Sequence, residues 1–471
     1  MIFNSIVFLV SFACFLPLYW LPWNWTTRKV LLLCASYLFY AAWDPRFVPM
    51  LVAVGTMDYF LGNAIHRAQR RSIRLSVLLF SLFVNLGLLS YFKYAGFFMR
   101  ETVWLAQELG FHPQWRIPSV ILPLGISFYT FETISYLVDI YRRKILPTRS
   151  YLDYSLFLVF FPHLVAGPIV RAYDFLPQCE TPRRFSGDQL GWGLSLMALG
   201  LFQKVFLADG LLAEIVDRTF EHSAACTRCD AWSGVLAFAG QIYFDFAGYS
   251  LCGIGAALTC GFVLNDNFRA PYAARGFSDF WQRWHISLSS WLRDYLYVSL
   301  GGNRHGKIRT LFNLVITMLI GGLWHGASWT FVVWGAMHGA FLVIERLLHP
   351  VLPRAVVASV AGRFTGTVLT FSAVSLAWVF FRAESCGQAL QMMQTMLVGR
   401  SGLYVLSPAM AIRTGIVIGG LLAAQNGLRD SSWEEVRQQL PHWMWSLFMA
   451  LLILLILFAP GENRAFIYFQ F

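Results

Sequence analysis

Long apolar segments recur along the whole chain, and this pattern constrains the fold more than any other sequence feature. Only 13% of the residues are charged, whereas soluble domains contain about 25%. A membrane-spanning helix needs about 20 mostly apolar residues. The sequence therefore predicts an all-α polytopic integral membrane protein. The apolar windows cover residues 2–20, 30–42, 48–61, 75–91, 120–138, 152–165, 190–207, 232–251, 311–323, 329–344, 365–381, 409–424 and 443–458.

Several of these windows are too short to cross a bilayer on their own. Short or broken helices exist at membrane depth only where they are tilted, re-entrant or buried in protein. We therefore expect about 11 to 13 helical segments, some of them re-entrant. No low-complexity linker or clear repeat divides the sequence, so residues 1–471 are interpreted as one membrane domain.

The formal net charge is +11, and the basic residues cluster in loops. In a soluble protein this charge would suggest nucleic acid, but no nucleic-acid-binding motif is present. In a membrane protein Lys and Arg concentrate in cytoplasmic loops. We therefore place three basic segments, 66–74, 142–149 and 304–309, on the cytoplasmic side and expect no nucleic-acid partner.

Cys226 and Cys229 form a lone CxxC pair in a loop. A zinc site needs more ligands than this pair offers, so we predict no metal site. Two interpretations stay open for the pair. The two thiols form a disulfide if the loop faces an oxidising compartment, or they are unrelated loop cysteines.

His325 is the strongest candidate for chemistry. It lies in the apolar run 319–339, and an ionisable residue at membrane depth is rare and usually functional. Neutral imidazole is a general base suited to deprotonating a hydroxyl. The window 311–323 is about 20 Å of helix, which would place His325 well inside the bilayer. Gly321, Gly322 and Gly326 suggest a break in the helix there, with backbone amides free to stabilise an oxyanion.

Residues 277–304 form a dense polar and aromatic segment. Seven positions recur at three- and four-residue spacing, which is typical of one helix face: Trp281, Trp284, His285, Leu288, Trp291, Leu292 and Tyr295. The tryptophans taken alone are explained by core packing or an interfacial belt. His285 is equally consistent with a buried core histidine and with a role in the site. His338, one span after His325, is a weaker candidate for the same cavity.

Four more polar residues lie within apolar windows: Glu132, Asp139, His163 and Asp245. An unpaired polar group there would be costly. Each either pairs with Arg171, Lys204 or a backbone donor or contacts substrate, and we expect most of them to be satisfied inside the protein.

Six motifs are distributed from the N-terminal part of the chain to residue 339: LLLCASYLFYAAWDP, YFKYAGF, FPHLVAGPIVR, QIYFDFAGYS, FWQRWHISLSSWLRDYLYVSLGGNR and GGLWHGASWTFVVWGAMHG. Together they resemble the membrane-bound O-acyltransferase (MBOAT) family, and within it the bacterial alginate O-acetylases and their envelope relatives. The family fold implied by the resemblance is a ring of tilted helices with a thin centre and two funnels. The location implied is the bacterial inner membrane, with membrane lipids around the chain.

The resemblance also implies acyl transfer from a thioester to a hydroxyl, with His325 and His285 at the family's two polar positions. The expected donor is acetyl-CoA, with no bound cofactor. The expected acceptor is an exopolysaccharide such as alginate, reached through a periplasmic SGNH-type acetyltransferase partner. We expect the following residues to line the site: Trp281, Trp284, Arg293, Asp294, Asn303, Trp324 and His338.

The last residues, FIYFQF (466–471), resemble an acyl-transfer tail of bacterial envelope members of the family. On this interpretation segment 461–471 is a tail on which Tyr468 carries the acyl group. A phenol loses its proton more readily than a sugar hydroxyl, and a covalent relay divides one difficult step into two. The alternative is that a terminal aromatic run anchors at the membrane interface.

Three other functions remain open. The chain could acylate peptidoglycan or cellulose, or transfer D-alanine to teichoic acid. A transporter is less consistent with the sequence, because transporters commonly contain internal repeats and none is evident here.

Overall fold

The fold is known from a computed structural model that describes residues 3–111, 115, 120–164, 167–351, 353–399, 404–459, 464 and 467. Within these residues the secondary structure is helical and contains no strand, which confirms the all-α prediction. The α-helices are α1 Ile6–Trp20, α2 Trp25–Ala41, α3 Val48–Arg67, α4 Arg71–Leu89, α5 Ala95–Glu108, α6 Ile126–Tyr141, α7 Tyr151–Val159, α8 Phe161–Leu164, α9 Ala172–Glu180, α10 Gly187–Leu201, α11 Glu214–Glu221, α12 Arg228–Thr259, α13 Phe277–Trp281, α14 Ile286–Trp291, α15 Gly306–His325, α16 Trp329–Leu348, α17 Arg354–Ala358, α18 Val360–Arg382, α19 Cys386–Val398, α20 Pro408–Gly427, α21 Trp433–Gln439 and α22 His442–Leu457.

Wider π-helical turns join some of these helices, and short 3₁₀ turns precede others. The π-helices are Ser90–Tyr94, Phe202–Ala213 and Leu292–Tyr297, and the 3₁₀ turns are Pro45–Phe47 and Pro271–Ala273. A π-helix joining two α-helices allows a continuous helical segment to be longer than either helix alone. π-Turns are frequent at functional sites.

Seven helical segments in the described part of the chain are long and apolar enough to cross a membrane. They are Pro45–Arg67, Arg71–Glu108, Gly187–Glu221, Gly306–His325, Trp329–Leu348, Val360–Arg382 and Pro408–Gly427. Two shorter apolar helices, α1 and α22, accompany them. A multi-pass membrane protein is therefore confirmed.

Other predicted windows coincide with helices that are buried inside the protein. α6 is buried along most of its length, and the residues of α7 and α8 are almost all buried. Burial in protein is one of the arrangements that permits short helices at membrane depth. These helices explain why the predicted 11 to 13 segments exceed the seven long spans.

The chain divides into two compact units. Apart from the first two residues, unit 1 comprises Phe3–Gly193 and Gly253–Asn265. Unit 2 comprises Leu194–Cys252 and Asp266–Phe471.

Unit 1 contains polar groups paired inside its helical core. The Asp58 carboxylate accepts hydrogen bonds from Ser81 Oγ at 2.7 Å and from Asn85 Nδ2 at 3.0 Å. Glu132 Oε1 lies 3.0 Å from His163 Nδ1 and accepts a hydrogen bond from the backbone N–H of Val170. The expectation that Glu132 is satisfied by a backbone donor is confirmed.

Unit 2 is built around the close antiparallel pair α15 and α16. A Cβ atom at Gly322 would lie 2.3 Å from the carbonyl oxygen of Phe331. A Cβ atom at Gly335 would lie 2.4 Å from the carbonyl oxygen of Met318. The two glycines therefore allow the helix backbones to touch, as small residues commonly do between membrane helices.

This packing corrects the predicted break at the glycines. Gly321 and Gly322 lie inside α15, whose 20 residues extend without interruption from Gly306 to His325. Their amides belong to the hydrogen-bond ladder of the helix and are not free to stabilise an oxyanion. The helix is also longer than the predicted window 311–323, and it ends at Gly326 directly after His325.

The predicted single helix over residues 281–295 is wrong. α13 ends at Trp281, α14 begins at Ile286, and His285 between them has the left-handed backbone angles φ 43° and ψ 55°. The backbone N–H of Ile286 donates to the carbonyl oxygen of Asn267, and Arg283 accepts from Arg269. Hydrogen bonds to the preceding loop thus replace the i to i−4 hydrogen bonds of the helix that the residue spacing suggests.

Two further expectations concern charged and sulfur groups. Lys204 pairs with Asp245, as expected. Cys226 and Cys229 are both free thiols, the first buried and the second exposed on α12. The interpretation of Cys226 and Cys229 as unpaired cysteines therefore agrees with the structure.

The α15–α16 contact leads to a stability prediction. We expect Gly335→Ala to destabilise the protein by about 1–3 kcal/mol, because overpacking forces the backbones apart. Gly420→Ala on α20 is the matched control, because a Cβ there meets nothing within 4 Å. The melting temperature of the purified protein should fall for Gly335→Ala and stay level or rise for Gly420→Ala. Equal melting temperatures would contradict the proposed packing.

Candidate active site

His325 is the last residue of α15 and is only 3% exposed. The chain leaves the helix through Gly326 in an extended conformation, and Ser328 caps the start of α16. A Cβ atom at Gly326 would lie 2.1 Å from a ring carbon of Phe331. The absence of a side chain at Gly326 therefore lets the Phe331 ring pack against the turn that follows His325.

Aromatic rings surround the His325 imidazole within unit 2. The ring centroids of Trp334, Trp324 and Phe381 lie 4.9, 5.1 and 5.3 Å from it, all at steep interplanar angles. The His285 ring lies 6.5 Å away, so the two histidines are neighbours. Because a charged imidazole is disfavoured in such apolar surroundings, this environment favours the neutral base.

The hydrogen bonds of His285 indicate which ring nitrogen carries the proton. Its Nδ1 lies 3.1 Å from Asn267 Oδ1. That oxygen also accepts from Ser287 Oγ at 2.9 Å, while Asn267 Nδ2 donates to Ser250 Oγ at 3.0 Å. Asn267 Oδ1 is therefore an acceptor, and Nδ1 of His285 is the donor. Nε2 consequently has an available lone pair, and it is buried without a hydrogen-bond partner among the described residues.

His285 is also held in a strained backbone conformation. A positive φ at a non-glycine residue costs on the order of 1–3 kcal/mol and occurs preferentially at functional sites. The Phe246 ring packs edge-on against the His285 imidazole at 4.6 Å. Together with Asn267, this contact fixes the direction of the imidazole ring.

The Trp334 ring lies between His338 and His325 and contacts both. Its ring is 4.6 Å from Trp334 and 5.1 Å from Trp281. In the described residues neither nitrogen of His338 has a hydrogen-bond partner, and the same is true of the indole nitrogens of Trp281 and Trp334. Buried polar groups are normally hydrogen-bonded, so this group of donors and acceptors is suited to a bound polar molecule.

The other predicted site residues separate into two groups. Trp324 contacts both His285 and His325, and its ring centroid lies 5.9 Å from that of His285. Trp284 is fully buried and packs against Trp378 with a ring-centroid distance of 5.0 Å. The remaining three polar residues lie in the π-helix Leu292–Tyr297 and in the turn after it. Arg293 and Asp294 pair with each other at 2.8 Å, with largely exposed and partly exposed side chains, and Asn303 lies exposed in a turn. Tyr468 lies outside the described residues.

Sequence reasoning missed three residues that shape this cluster. Trp334 lies four residues before His338 on α16, so helical spacing could have identified it. Asn267 and Phe381 are distant in sequence from both histidines, and no local pattern marks them. Only the tertiary fold brings them to the site.

Comparison with known proteins supplies the family. The sequence profile of MBOAT, the membrane-bound O-acyltransferase family, matches residues 71–363. This chain belongs to the membrane-bound O-acyltransferase family. It is therefore an O-acyltransferase, and both central histidines lie within the matched region.

Individual members of this family are similar over most of the chain. The protein named Probable alginate O-acetylase AlgI of Azotobacter vinelandii is 44% identical over 400 residues, covering 84% of this chain and 78% of that protein. The protein of the same name from Pseudomonas aeruginosa is 42% identical, covering 90% and 80%. The Peptidoglycan O-acetyltransferase of Helicobacter pylori is 36% identical, covering 79% and 74%.

The Asn267–His285 hydrogen bond generates a prediction for this O-acyltransferase. We expect Asn267→Ala to lower the turnover number about tenfold or more, because the imidazole loses its fixed tautomer and direction. Asn267→Asp should retain more activity than Asn267→Ala, since a carboxylate still accepts the Nδ1 proton. The measurement is acyl transfer by purified protein, with Asn265→Ala on the exposed surface as control. Equal losses in both Asn267 variants would show that the residue acts only in packing.

Proposed function

We propose that this enzyme moves an acetyl group from cytoplasmic acetyl-CoA through the membrane for O-acetylation of an exopolysaccharide, with alginate as the first candidate. Support for the acceptor comes from the relatives named as alginate O-acetylases, which are similar over most of this chain. Support for the chemistry comes from the histidine cluster of unit 2. The basic loops 66–74, 142–149 and 304–309 support a cytoplasmic entry for the donor.

The observation that carries the proposal is the adjacent pair of buried imidazoles, His325 and His285. Their ring centroids are 6.5 Å apart, and the Asn267 contact leaves Nε2 of His285 available to accept a proton. Acyl transfer to a hydroxyl needs such a neutral base in a site from which water is excluded. The surrounding tryptophan and phenylalanine rings provide that exclusion.

The proposed step is balanced in atoms and charge. The acceptor oxygen attacks the thioester carbonyl carbon, its proton passes to the His325 imidazole, and a C–O bond forms. The tetrahedral oxyanion then collapses, the C–S bond breaks, and the leaving thiolate takes the proton from the imidazolium. The products are an ester and free CoA thiol, and His325 is neutral again. His285 undergoes no net proton change in this step and lies beside His325 with its Nε2 lone pair available.

The oxyanion needs hydrogen-bond donors, and the amides of Gly321 and Gly322 are occupied in α15. We assign this role to the indole N–H groups of Trp281 and Trp334. Both are buried and without hydrogen-bond partners among the described residues. The Trp334 ring contacts His325, and the Trp281 ring contacts Trp334. Preorganised donors of this kind are usually the largest contribution to catalysis of acyl transfer.

The acceptor in the first transfer is the phenol of Tyr468 in this proposal. Its ester would then deliver the acetyl group to a periplasmic SGNH-type acetyltransferase or directly to the polymer. A phenol is more acidic than a sugar hydroxyl, so the first proton transfer is easier. The proposed location is the bacterial inner membrane, where a cytoplasmic donor and a periplasmic acceptor face the two sides of the protein.

A second acceptor is favoured by one comparison. The peptidoglycan O-acetyltransferase of Helicobacter pylori is 36% identical over 409 residues. The same histidine chemistry would serve that polymer, because only the final acceptor differs. Acetyl analysis of the purified exopolysaccharide and of the cell wall from a deletion strain distinguishes the two.

The direct test of the proposed base is His325→Ala expressed at the wild-type level. We expect polymer acetylation in cells to fall at least a hundredfold, because general acid–base catalysis contributes about 10²–10⁴ in rate. His222→Ala is the matched control, since His222 is exposed and bonds only locally to Arg218. Retained acetylation in His325→Ala, with His222→Ala also active, would refute the catalytic assignment.

A further inference from the structure

Asp245, in the middle of α12, holds a residue of the C-terminal segment. Its Oδ2 accepts a hydrogen bond of 2.8 Å from the backbone N–H of Ile467. Asp245 is 2% exposed and Ile467 is 5% exposed, so the bond is shielded from solvent. A hydrogen bond to a buried carboxylate is stronger than one between neutral groups.

The ionic neighbours of Asp245 explain why it accepts this bond. Its other oxygen pairs with Lys204, whose Nζ also lies 3.0 Å from Asp209 Oδ1. Two buried carboxylates thus share one ammonium group. An unsatisfied buried charge is costly, and a backbone N–H offers partial compensation without adding a full positive charge. Lys204 and Asp209 both lie in the π-helix Phe202–Ala213.

A second carboxylate contacts the same C-terminal segment three residues earlier. Asp217 on α11 pairs with Arg464 through Oδ2 and with Arg382 at 3.0 Å through Oδ1. The side chains of Asp217 and Arg464 are each about one-third exposed, so this pair alone would contribute little. Combined with the buried bond at Ile467, it fixes the register of the segment relative to α11 and α12.

The same turn of α12 also contacts His285. Phe246 follows Asp245 directly and packs edge-on against the His285 ring at 4.6 Å. Successive side chains of an α-helix point about 100° apart, so the tail and His285 contact neighbouring faces of one turn of α12. Tyr468, the proposed acyl carrier, follows Ile467 directly in the sequence.

We propose that Asp245 and Asp217 form a docking site for the C-terminal tail of this chain, with Lys204 and Asp209 holding Asp245 in place. Docking sets the register of the tail so that Tyr468 reaches the histidine pair. The delivery of Tyr468 rests on the function proposed above, whereas docking does not depend on it. Asp245 is a positioning residue in this proposal, because it acts on the reaction only through the tail.

Variants of the tail test this while Lys204, Asp209 and Asp245 themselves stay unchanged. Ile467→Pro removes the N–H donor, and Ile467→Ala is the matched control that shortens the side chain but keeps the donor. Arg464→Gln removes the charge, and Arg464→Lys retains it. All variants are made in the full-length protein, so no helix is removed by truncation. Two quantities are measured: amide hydrogen exchange of the C-terminal peptide by mass spectrometry, and acetyl transfer from acetyl-CoA.

We expect exchange of the tail amides to be about tenfold faster or more in Ile467→Pro, because a charge-assisted bond is lost. Acetyl transfer should fall by a similar factor, while Ile467→Ala stays closer to wild type in both measurements. Arg464→Gln should show a smaller change in the same direction. Exchange that is equal in Ile467→Pro and Ile467→Ala would overturn the docking site, whatever the activity.

The two measurements separate this inference from the proposed function. Faster tail exchange together with unchanged acetyl transfer would overturn the positioning role of Asp245. Unchanged tail exchange together with loss of activity in His325→Ala would overturn docking and leave the histidine chemistry intact. Loss of both tail protection and transfer in Ile467→Pro supports the complete proposal.

Discussion

The close contact between α15 and α16 is the interaction on which the active site of this enzyme depends. Gly322 and Gly335 let the two helix backbones touch, and the short turn at Gly326 keeps them in register. His325 at the end of one helix then lies against Trp334 on the other. Because an apolar solvent provides little drive for helix association, such small-residue packing supplies much of the stabilisation.

Unit 2 also contains buried polar and charged side chains, whose burial costs free energy unless they are paired. Asn267 satisfies one nitrogen of His285, and Lys204 neutralises part of the charge of Asp245. The remaining nitrogen of His285 keeps no partner among the described residues, although a buried polar group left unpaired costs about 1–3 kcal/mol. That cost is consistent with a group held ready for a substrate proton, as expected at a site whose geometry is set before the substrate binds.

The helical fold and His325 could be predicted because both have strong local signals. Apolar windows of span length indicate helices, and an imidazole in an apolar run indicates function. The break at His285 could not be predicted, because the bonds that replace the helical ladder come from the distant residues Arg269 and Asn267. Gly321 and Gly322 were misinterpreted for a related reason, since glycine serves a helix break and a close helix contact equally well; the helix does end at Gly326, as expected. Arg293, Asp294 and Asn303 share a segment with His285, but they lie in the π-helix and the turn that follow α14 and not on the helix face that the spacing suggested.

In the mechanism we propose, the histidine pair transfers an acetyl group to Tyr468 before any polymer receives it. The most direct measurement is mass spectrometry of the C-terminal peptide after purified full-length protein reacts with isotopically labelled acetyl-CoA in the absence of polymer. We expect a labelled acetyl ester on Tyr468 in the wild-type protein and none in His325→Ala or Tyr468→Phe. Wild-type acetylation of polymer by the Tyr468→Phe protein, or an equal yield of the Tyr468 ester in His325→Ala, would contradict it.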